Sequence, residues 1–323
     1  MKWIKKGKIF DPGEFNLAND CTEFAQSPQT IVFDSFVRVY FSTRRKDPVN
    51  SMYLSFIAFA DFEKDFSKIL NVSKETVIDL GGLGTFDEHG IFPINLLKHE
   101  NKITAYTCGW NRRVSVPVET SVGIAYSYDN GNTFVKENSG PILTSSLKEP
   151  VLVGDAFVKV YNNKYHMWYI FGKEWIAETD IEPVARIYKI AHATSIDGVN
   201  WIKEEGKQII ADKLNEQECQ ALPTVIKIKD RYHMYFCYRE ATDFRKNPKR
   251  GYRLGYAWSD NLQNWIRDDE NSGMELTPGD WDSDMMCYPH IFQCNDKIYL
   301  LYNGNEFGKY GFGLAELETT ENE

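Results

Sequence analysis

The sequence repeats one pattern five times along its 323 residues. Each copy begins with a polar loop and continues with a short β-rich run that often opens with proline. A turn and a second run rich in aromatic residues follow. The aligned starting positions are Pro28, Pro93, Ala156, Pro223 and Pro289, which gives steps of 65, 63, 67 and 66 residues. Five units of nearly equal length predict a repeat architecture.

Each unit also has a second half, in which an apolar run ends in an Asp, Asn and Gly cluster. The clearest copies are Gly123–Phe134, Ile190–Trp201 and Gly255–Trp265. The cluster predicts a tight hairpin turn, and the Trp or Phe after it is expected to fill the space between neighbouring sheets. Four antiparallel strands in each unit are the signature of a propeller blade.

We therefore predict an all-β fold, a single five-bladed β-propeller over residues 1–323 with four antiparallel strands in each blade. The blades start near residues 28, 93, 156, 223 and 289. The last unit lacks one strand before an acidic tail, whereas residues 2–10 resemble the segments that end the third and fourth units. We expect residues 2–10 to complete blade five and to close the ring.

Composition narrows the classes of partner. The chain has 37 Lys and Arg against 46 Asp and Glu, a formal net charge of −9, without a basic stripe. A nucleic-acid partner is therefore not expected. No apolar run approaches the ~20 residues needed to cross a membrane, so no membrane partner is expected either. The first residues do not read as a secretory signal, and the six cysteines form no CxxC pair. These features predict a cytoplasmic protein and leave its oligomeric state open.

Candidate site residues follow from strand direction. In an antiparallel blade, the loop before the first strand and the loop after the second open on the same face. Arginines, carboxylates and aromatic rings gathered there suit polyhydroxylated ligands, and a pair of carboxylates is what glycosidic cleavage requires. The alternative for any single acid is that it only caps a turn or solvates the rim. The candidates are Gln26, Arg44, Asp87, Glu88, His89, Trp110, Asp155, Glu218, Arg239, Asp284 and Tyr288.

Five blades with acids and aromatic residues around a channel resemble the five-bladed propeller glycosidase superfamily. This superfamily includes arabinanase/xylosidase-like enzymes, invertase-like enzymes and mannoside phosphorylases. In the arabinanase/xylosidase-like enzymes, an Asp of blade one is the general base, an Asp of blade three orients the acid, and a Glu of blade four is the acid. The resemblance implies that Asp155 is the orienting carboxylate and Glu218 the proton donor.

Blade one departs from that pattern, because its base position reads Gln26-Ser27-Pro28, with Ser27 and no Asp. One alternative is that Glu23, Asp87 or Glu88 replaces the base. The other is that phosphate attacks in place of water, as in the phosphorylases of this fold. The arginines considered for holding phosphate are Arg44, Arg112, Arg113 and Arg239.

The sequence thus predicts a glycosidase that acts on an oligosaccharide or a surface-glycan intermediate, with Asp155, Glu218 and Glu88 as its catalytic carboxylates. The alternatives are a catalytically inactive carbohydrate-binding propeller and a glycoside phosphorylase. No catalytic cofactor or metal is expected. In the resembled enzymes a histidine of the channel can hold a structural cation, which makes the surroundings of His290 the one candidate for such an ion.

Overall fold

The computed structural model describes residues 1–99, 102–177 and 184–318, in which almost all regular structure is β-strand. The first strand is β1 (Trp3–Phe10). The others are β2 (Glu23–Val32), β3 (Val37–Lys46), β4 (Tyr53–Phe62), β5 (Ile69–Val72), β6 (Gly90–His99), β7 (Lys102–Arg112), β8 (Val118–Ser127), β9 (Val135–Lys136), β10 (Val153–Tyr161), β11 (Lys164–Ile176), β12 (Ala185–Ser195), β13 (Ile202–Lys203), β14 (Glu218–Ile228), β15 (Arg231–Glu240), β16 (Arg253–Ser259), β17 (Ile266–Arg267), β18 (Cys287–Cys294), β19 (Lys297–Asn303) and β20 (Phe312–Leu317). The helical turns are Pro12–Glu14, Ala18–Asp20, Pro248–Arg250, Asp269–Asn271 and α1 (Asn305–Gly308).

The strands form groups of four antiparallel strands, which confirms the predicted all-β class. Two groups, β10–β13 and β14–β17, are separate sheets. The groups β2–β5 and β6–β9 are joined by a single parallel bridge between Ser55 and Gly90. In the last group, β1 pairs with β20 beside β19 and β18, so the first residues of the chain supply its fourth strand.

The first strand of every group carries an irregularity at the same place. In β2, β6, β10, β14 and β18 the pairing register with the second strand shifts across the aligned position of the repeat. In four of the five strands the residue before that position has a positive φ: Ser27 (52°), Asp155 (52°), Leu222 (50°) and Tyr288 (55°). Such bulges redirect side chains and end regular pairing. The repeat therefore places one redirected side chain near the start of these strands.

Neighbouring first strands contact each other in a cycle, with β18 contacting β2. They do not pair as a ladder, so their backbone N–H groups need other acceptors. Side chains supply them at four of the five contacts. The bonds are Thr30 N to His290 Nε2 (3.1 Å), Val158 N to Asn95 Oδ1 (2.8 Å), Leu222 N to Asp155 Oδ2 (3.4 Å) and Ile291 N to Thr224 Oγ1 (3.1 Å). At the fifth contact, Asn95 Nδ2 donates to Gln29 Oε1 over 3.1 Å.

The hydrophobic core lies between the faces of neighbouring groups. One cluster joins Phe41 of β3 to Phe312 of β20, and others lie between each further pair of neighbours. The aromatic residues after the hairpin turns contribute as predicted. Phe134 is buried in one cluster, and Trp201 and Trp265 pack against two others.

All six cysteines are buried and have free thiols. None of the helices in residues 1–99, 102–177 and 184–318 is long and apolar enough to cross a membrane.

The pairing of β1 with β20 predicts that residues far apart in sequence stabilise each other. Trp3 is buried, and its indole N–H donates to Tyr235 Oη (2.8 Å) and to Ser272 O (3.1 Å). We expect Trp3→Ala to lower the free energy of unfolding by about 3–5 kcal/mol, because it leaves a large cavity. Denaturant unfolding measures this, with Ile4→Ala on the exposed side of the same strand as the control. Equal losses in the two variants would contradict the role given to β1.

Candidate functional site

Asp155 lies in the bulge of β10, near the end at which the first strands begin. Its side chain is buried, and Oδ2 accepts the hydrogen bond from Leu222 N–H. Burial raises the pKa of Asp155 to about 7, although the Leu222 hydrogen bond and the charge of Arg186 act in the opposite direction. A carboxyl group with this pKa holds or releases a proton near neutral pH, as a general acid must.

Four arginines, which we call the arginine cluster, lie on the same side of the fold. Arg44 is near the end of β3, Arg186 near the start of β12, Arg239 near the end of β15, and Arg245 in the loop after β15. Desolvation lowers the pKa of Arg245, and the charges of Arg239 and Arg186 lower it further. Desolvation likewise lowers the pKa of Arg44, where Arg245 adds to the effect. Arg245 is therefore the member that lies close enough to the other three for their charges to interact with its own.

Three members of the cluster have no counter-charge within the part of the chain that the structure describes. The guanidinium groups of Arg44, Arg186 and Arg245 make no hydrogen bond or ion pair there. They lie beside aromatic rings instead, with Arg186 5.7 Å from Trp175 and Arg245 4.5 Å from Phe244. Such a group attracts an anion, because a bound anion would supply the acceptors that these donors lack.

Arg239 is held more tightly than the other three. Its Nη2 donates to Tyr188 Oη over 2.9 Å and its Nη1 to the carbonyl of Glu240 over 2.6 Å, while the Phe244 ring lies 3.5 Å away. Its Nε is buried without an acceptor among the described residues. Arg239 therefore keeps one donor for a ligand within a fixed frame.

A cavity of about 370 Å³ opens beside Arg186, Arg239 and Arg245, with Trp175 and Phe244 in its walls. Asp243 also lines this cavity. Aromatic walls with a few charged groups suit a sugar that carries an anionic group, or a sugar that binds next to an anion.

Tyr288 is the predicted residue that links the arginine cluster to the first strands. It occupies the bulge position of β18, with its ring 5.4 Å from Phe92 and 5.7 Å from Tyr252. The charge of Arg44 acts on its hydroxyl. Gln26 lies at the equivalent end of β2, where its side-chain amide donates to Phe307 O over 2.6 Å. Of the predicted residues, Tyr288 thus lies near Arg44, while the arginine whose charge acts on Asp155 is Arg186.

Glu218 is placed differently from the expectation. Its side chain is fully buried, and Oε1 accepts from Arg267 Nη1 (2.6 Å) and Gln220 Nε2 (2.9 Å). Oε2 accepts from the backbone N–H groups of Lys213 and Leu214, each over 2.9 Å. Both oxygens of Glu218 thus already accept from the ion pair with Arg267 and from three further donors of the chain, so this geometry does not favour Glu218 as proton donor.

The acids of the loop before β6 also have local partners. Asp87 is buried, and Lys136 Nζ lies 2.5 Å from its Oδ2. Glu88 Oε2 accepts from Gly84 N–H over 2.9 Å, within the same loop. These bonds fix the loop and give neither carboxylate a contact with the arginine cluster.

His89 and Trp110 form a separate stack, with ring centres 5.9 Å apart. Arg112 donates to Tyr53 O over 2.8 Å, and Arg113 forms an ion pair with Glu119. These two arginines are therefore engaged elsewhere. Asp284 is exposed, and no contact joins it to the cluster.

The expected cation near His290 gains no support from the charges there. Nε2 of His290 already accepts from Thr30, and the ammonium group of Lys159 acts on the ring and would repel a cation. No group of three or more metal-ligating side chains occurs in residues 1–99, 102–177 and 184–318. We do not propose a cation at this place.

Two relatives match almost the whole chain. The uncharacterized proteins MT1551 and Rv1502 of Mycobacterium tuberculosis strains CDC 1551 and H37Rv are each 30% identical to it over 320 residues. The match covers 98% of this chain and 100% of each relative. No protein-family model matches the chain.

Solved structures with the same fold are glycosidases and a phosphorylase. A glycoside hydrolase has a TM-score of 0.72 at 14% identity, and the match covers 99% of this chain and 92% of that protein. A thermostable family-43 glycoside hydrolase has a TM-score of 0.64 at 12% identity, over 94% and 92%. The β-1,2-mannobiose phosphorylase of Listeria innocua has a TM-score of 0.65 at 12% identity, over 98% and 96%. The fold is that of the propeller glycosidases, which confirms the resemblance.

The raised pKa of Asp155 predicts a pH-dependent contribution to stability. The folded-state value of about 7 lies above the unfolded value of about 3.9, so a proton on Asp155 favours the folded state. This contribution is complete below pH about 4 and is lost as the pH rises through 7. The difference in unfolding free energy between wild type and Asp155→Asn should therefore change by up to about 1.4 kcal/mol per pH unit in that range. Denaturant unfolding at several pH values measures it. The control Asp284→Asn changes an exposed residue, and its unfolding free energy should follow that of the wild type at every pH. If the difference between wild type and Asp155→Asn is the same at every pH, the assignment is contradicted.

Glu218→Gln tests whether this carboxylate is structural. Removing one partner of a buried ion pair costs about 3–5 kcal/mol, and we expect Glu218→Gln to lose most of this in urea unfolding. Glu240→Gln, opposite Glu218 in the β14–β15 pairing, is the control, with little loss expected. A proton donor would instead show an unchanged unfolding midpoint and a large loss of turnover.

Proposed function

The chain belongs to the same family as the mycobacterial proteins Rv1502 and MT1551, and on that premise we propose that it is a carbohydrate-active enzyme that breaks a glycosidic bond by phosphorolysis. The single observation that carries the proposal is a buried carboxyl group with a raised pKa, Asp155, beside guanidinium groups that form no ion pair with any described residue. The shared fold with glycoside hydrolases and a mannobiose phosphorylase supports it. The proposed substrate is an oligosaccharide or a surface-glycan intermediate.

The proposal includes the finer arrangement of the fold. We infer that the five strand groups are the blades of a five-bladed propeller and that β1 closes the ring. The cycle of contacts between the first strands and the pairing of β1 with β20 support this. The bulges then lie at one mouth of a central channel, where residues from different blades meet.

Asp155 is proposed as the proton donor to the leaving oxygen. Its pKa of about 7 keeps a substantial share of the group protonated at neutral pH. A fixed position is equally necessary, and the bulge of β10 together with the Leu222 hydrogen bond supplies it.

The arginine cluster is proposed to hold the attacking phosphate. Guanidinium groups bind phosphate oxygens through paired N–H donors, and the donors of Arg44, Arg186 and Arg245 are not used by any described residue. Desolvation lowers the pKa values of Arg44 and Arg245, with a smaller contribution from neighbouring arginines, and a bound dianion would act against both effects.

The reaction balances without a base that activates water. A phosphate oxygen forms a bond to the anomeric carbon as the bond from that carbon to the leaving oxygen breaks. Asp155 gives its proton to the leaving oxygen, the phosphate hydroxyl releases one proton to solvent, and Asp155 regains a proton from solvent after the products leave. The products are a sugar 1-phosphate and a shortened saccharide, and direct attack inverts the anomeric configuration.

Hydrolysis would need a second carboxylate placed to activate water. Among the described residues, Glu218, Glu88 and Asp87 have partners elsewhere, and Ser27 stands at the position of the base. Glu23, the remaining alternative for the base, accepts from Tyr53 Oη over 3.3 Å and lies 3.8 Å from Lys309 Nζ. Asp243 is the carboxylate that lines the cavity of Arg186 and Arg239, so it is the candidate base of a hydrolytic alternative.

The reverse reaction tests the proposal without a known substrate. The enzyme would be incubated with a panel of sugar 1-phosphates, each with a panel of acceptor sugars, and release of inorganic phosphate measured. We expect release that requires both a donor and an acceptor. Asp155→Asn should lower kcat by about 10²–10⁴. Arg186→Gln should raise KM for phosphate in the forward direction by about tenfold to a hundredfold.

The controls separate this function from its alternatives. Arg231→Gln, whose ion pair with Asp260 lies outside the arginine cluster, should retain full activity. If the wild type cleaves glycosides in the absence of phosphate and Asp243→Asn loses this activity, the protein is a hydrolase instead. Sugar binding without any product would identify a carbohydrate-binding protein that lacks catalysis.

A further inference from the structure

A second cavity, of about 460 Å³, opens at the other end of the first strands. Three residues after each aligned position of the repeat, four of these strands contribute an apolar side chain to its wall. The fifth strand, β10, contributes Lys159. The four apolar residues are Ile31, Leu96, Ile226 and Phe292.

Lys159 has no counter-charge in this apolar ring. Its ammonium group makes no hydrogen bond or ion pair with any described residue, and it lies 5.7 Å from the centre of the Phe157 ring. Burial lowers the pKa of Lys159, and no described carboxylate acts against this. The ammonium group therefore presents three donors to the channel.

His290 adds a second donor. Thr30 N–H donates to Nε2, so Nε2 is unprotonated and the neutral ring carries its proton on Nδ1. His290 is only 3% exposed, and Nδ1 has no partner within residues 1–99, 102–177 and 184–318. Its ring lies 6.1 Å from Phe157, the same ring that Lys159 approaches. Lys159 Nζ and His290 Nδ1, two donors without an acceptor among the described residues, thus lie near the same aromatic ring, and the charge of Lys159 acts on His290.

We propose that Lys159 and His290 form a binding site for chloride inside the channel. Two donors, one of them positively charged, repel a cation and are stabilised by a negatively charged acceptor. A phosphate or sulfate dianion would need many more donors than the apolar ring offers. A halide is smaller and carries one charge, so it loses less hydration free energy than a dianion when its remaining contacts are apolar.

The chloride site is separate from the arginine cluster. Lys159 follows Asp155 by four residues along β10, which corresponds to about 13 Å of extended strand. The lysines at the open end, Lys98 and Lys227, have no acidic neighbour among the described lining residues and would raise the local anion concentration. The site thus does not depend on the proposed phosphorolysis.

Bromide, which replaces chloride and scatters anomalously, tests the location. Crystals of the full chain soaked in sodium bromide should show a bromine peak between Lys159 Nζ and His290 Nδ1. The peak should vanish in Lys159→Met and remain in Lys227→Met, the matched lysine at the cavity edge. A wild-type map without this peak, or one that Lys159→Met leaves unchanged, would overturn the proposal. Peaks only beside exposed side chains would mean an adventitious ion only.

Thermal unfolding gives a second readout in solution. In phosphate-free buffer, the unfolding midpoint should be about 2 °C or more higher in sodium chloride than in sodium gluconate of equal ionic strength. Lys159→Met should reduce this difference in midpoint, and Lys159→Gln serves as the test variant if Lys159→Met does not fold. Arg231→Gln should keep the full difference, because its ion pair with Asp260 lies outside both anion sites. Equal midpoints of the wild type in the two salts, or a chloride effect that both Lys159 variants retain, would contradict the site.

Discussion

Neighbouring first strands are held together by side chains that accept or donate hydrogen bonds across the strand groups, and both candidate binding sites depend on these bonds. The first strands do not pair with one another as a ladder, so their buried N–H groups must find other acceptors. His290, Asn95, Asp155 and Thr224 provide them. Two of these four residues, Asp155 and His290, are also the polar groups on which the proposals depend. The proposed binding sites and the contacts between neighbouring first strands thus use the same side chains.

The charges at the arginine cluster support the proposal that a ligand binds there. Several guanidinium groups packed together without an ion pair to any described residue are unfavourable, and such an arrangement often marks a functional site. The aromatic rings around Arg186, Arg239 and Arg245 reduce the cost but supply no hydrogen-bond acceptor. An anion that binds during the reaction would supply that acceptor. Burial raises the pKa of Asp155 to about 7, whereas the hydrogen bond from Leu222 and the charge of Arg186 in the cluster act in the opposite direction.

The repeat allowed the strand groups, the pairing of β1 and the place of Asp155 to be predicted from sequence. Asp155 directly precedes the aligned position, where the bulge directs the side chain. Glu218 lies five residues before its aligned position, in the regular part of β14, and there the side chain turns to Arg267 of the outer strand. Residue type and distance along the chain could not separate these cases, because one step along a strand reverses the direction of a side chain.

Arg186 and Arg245 were missed for a different reason. The candidates came only from the loops before first strands and after second strands, whereas third strands begin on that same face. For Arg186, the signal available in the sequence was an arginine near the start of a third strand, β12. Arg245 lies in a loop whose path no repeat fixes, so its approach to Arg239 could be seen only in three dimensions.

The most direct measurement is a crystal structure of the protein with inorganic phosphate and a bound saccharide. The account predicts a phosphate within hydrogen-bond distance of at least two guanidinium groups among Arg44, Arg186 and Arg245. It also predicts that Asp155 lies on the opposite side of the anomeric carbon, next to the leaving oxygen. Guanidinium groups paired with carboxylates of the chain, with no phosphate between them and the sugar, would contradict it.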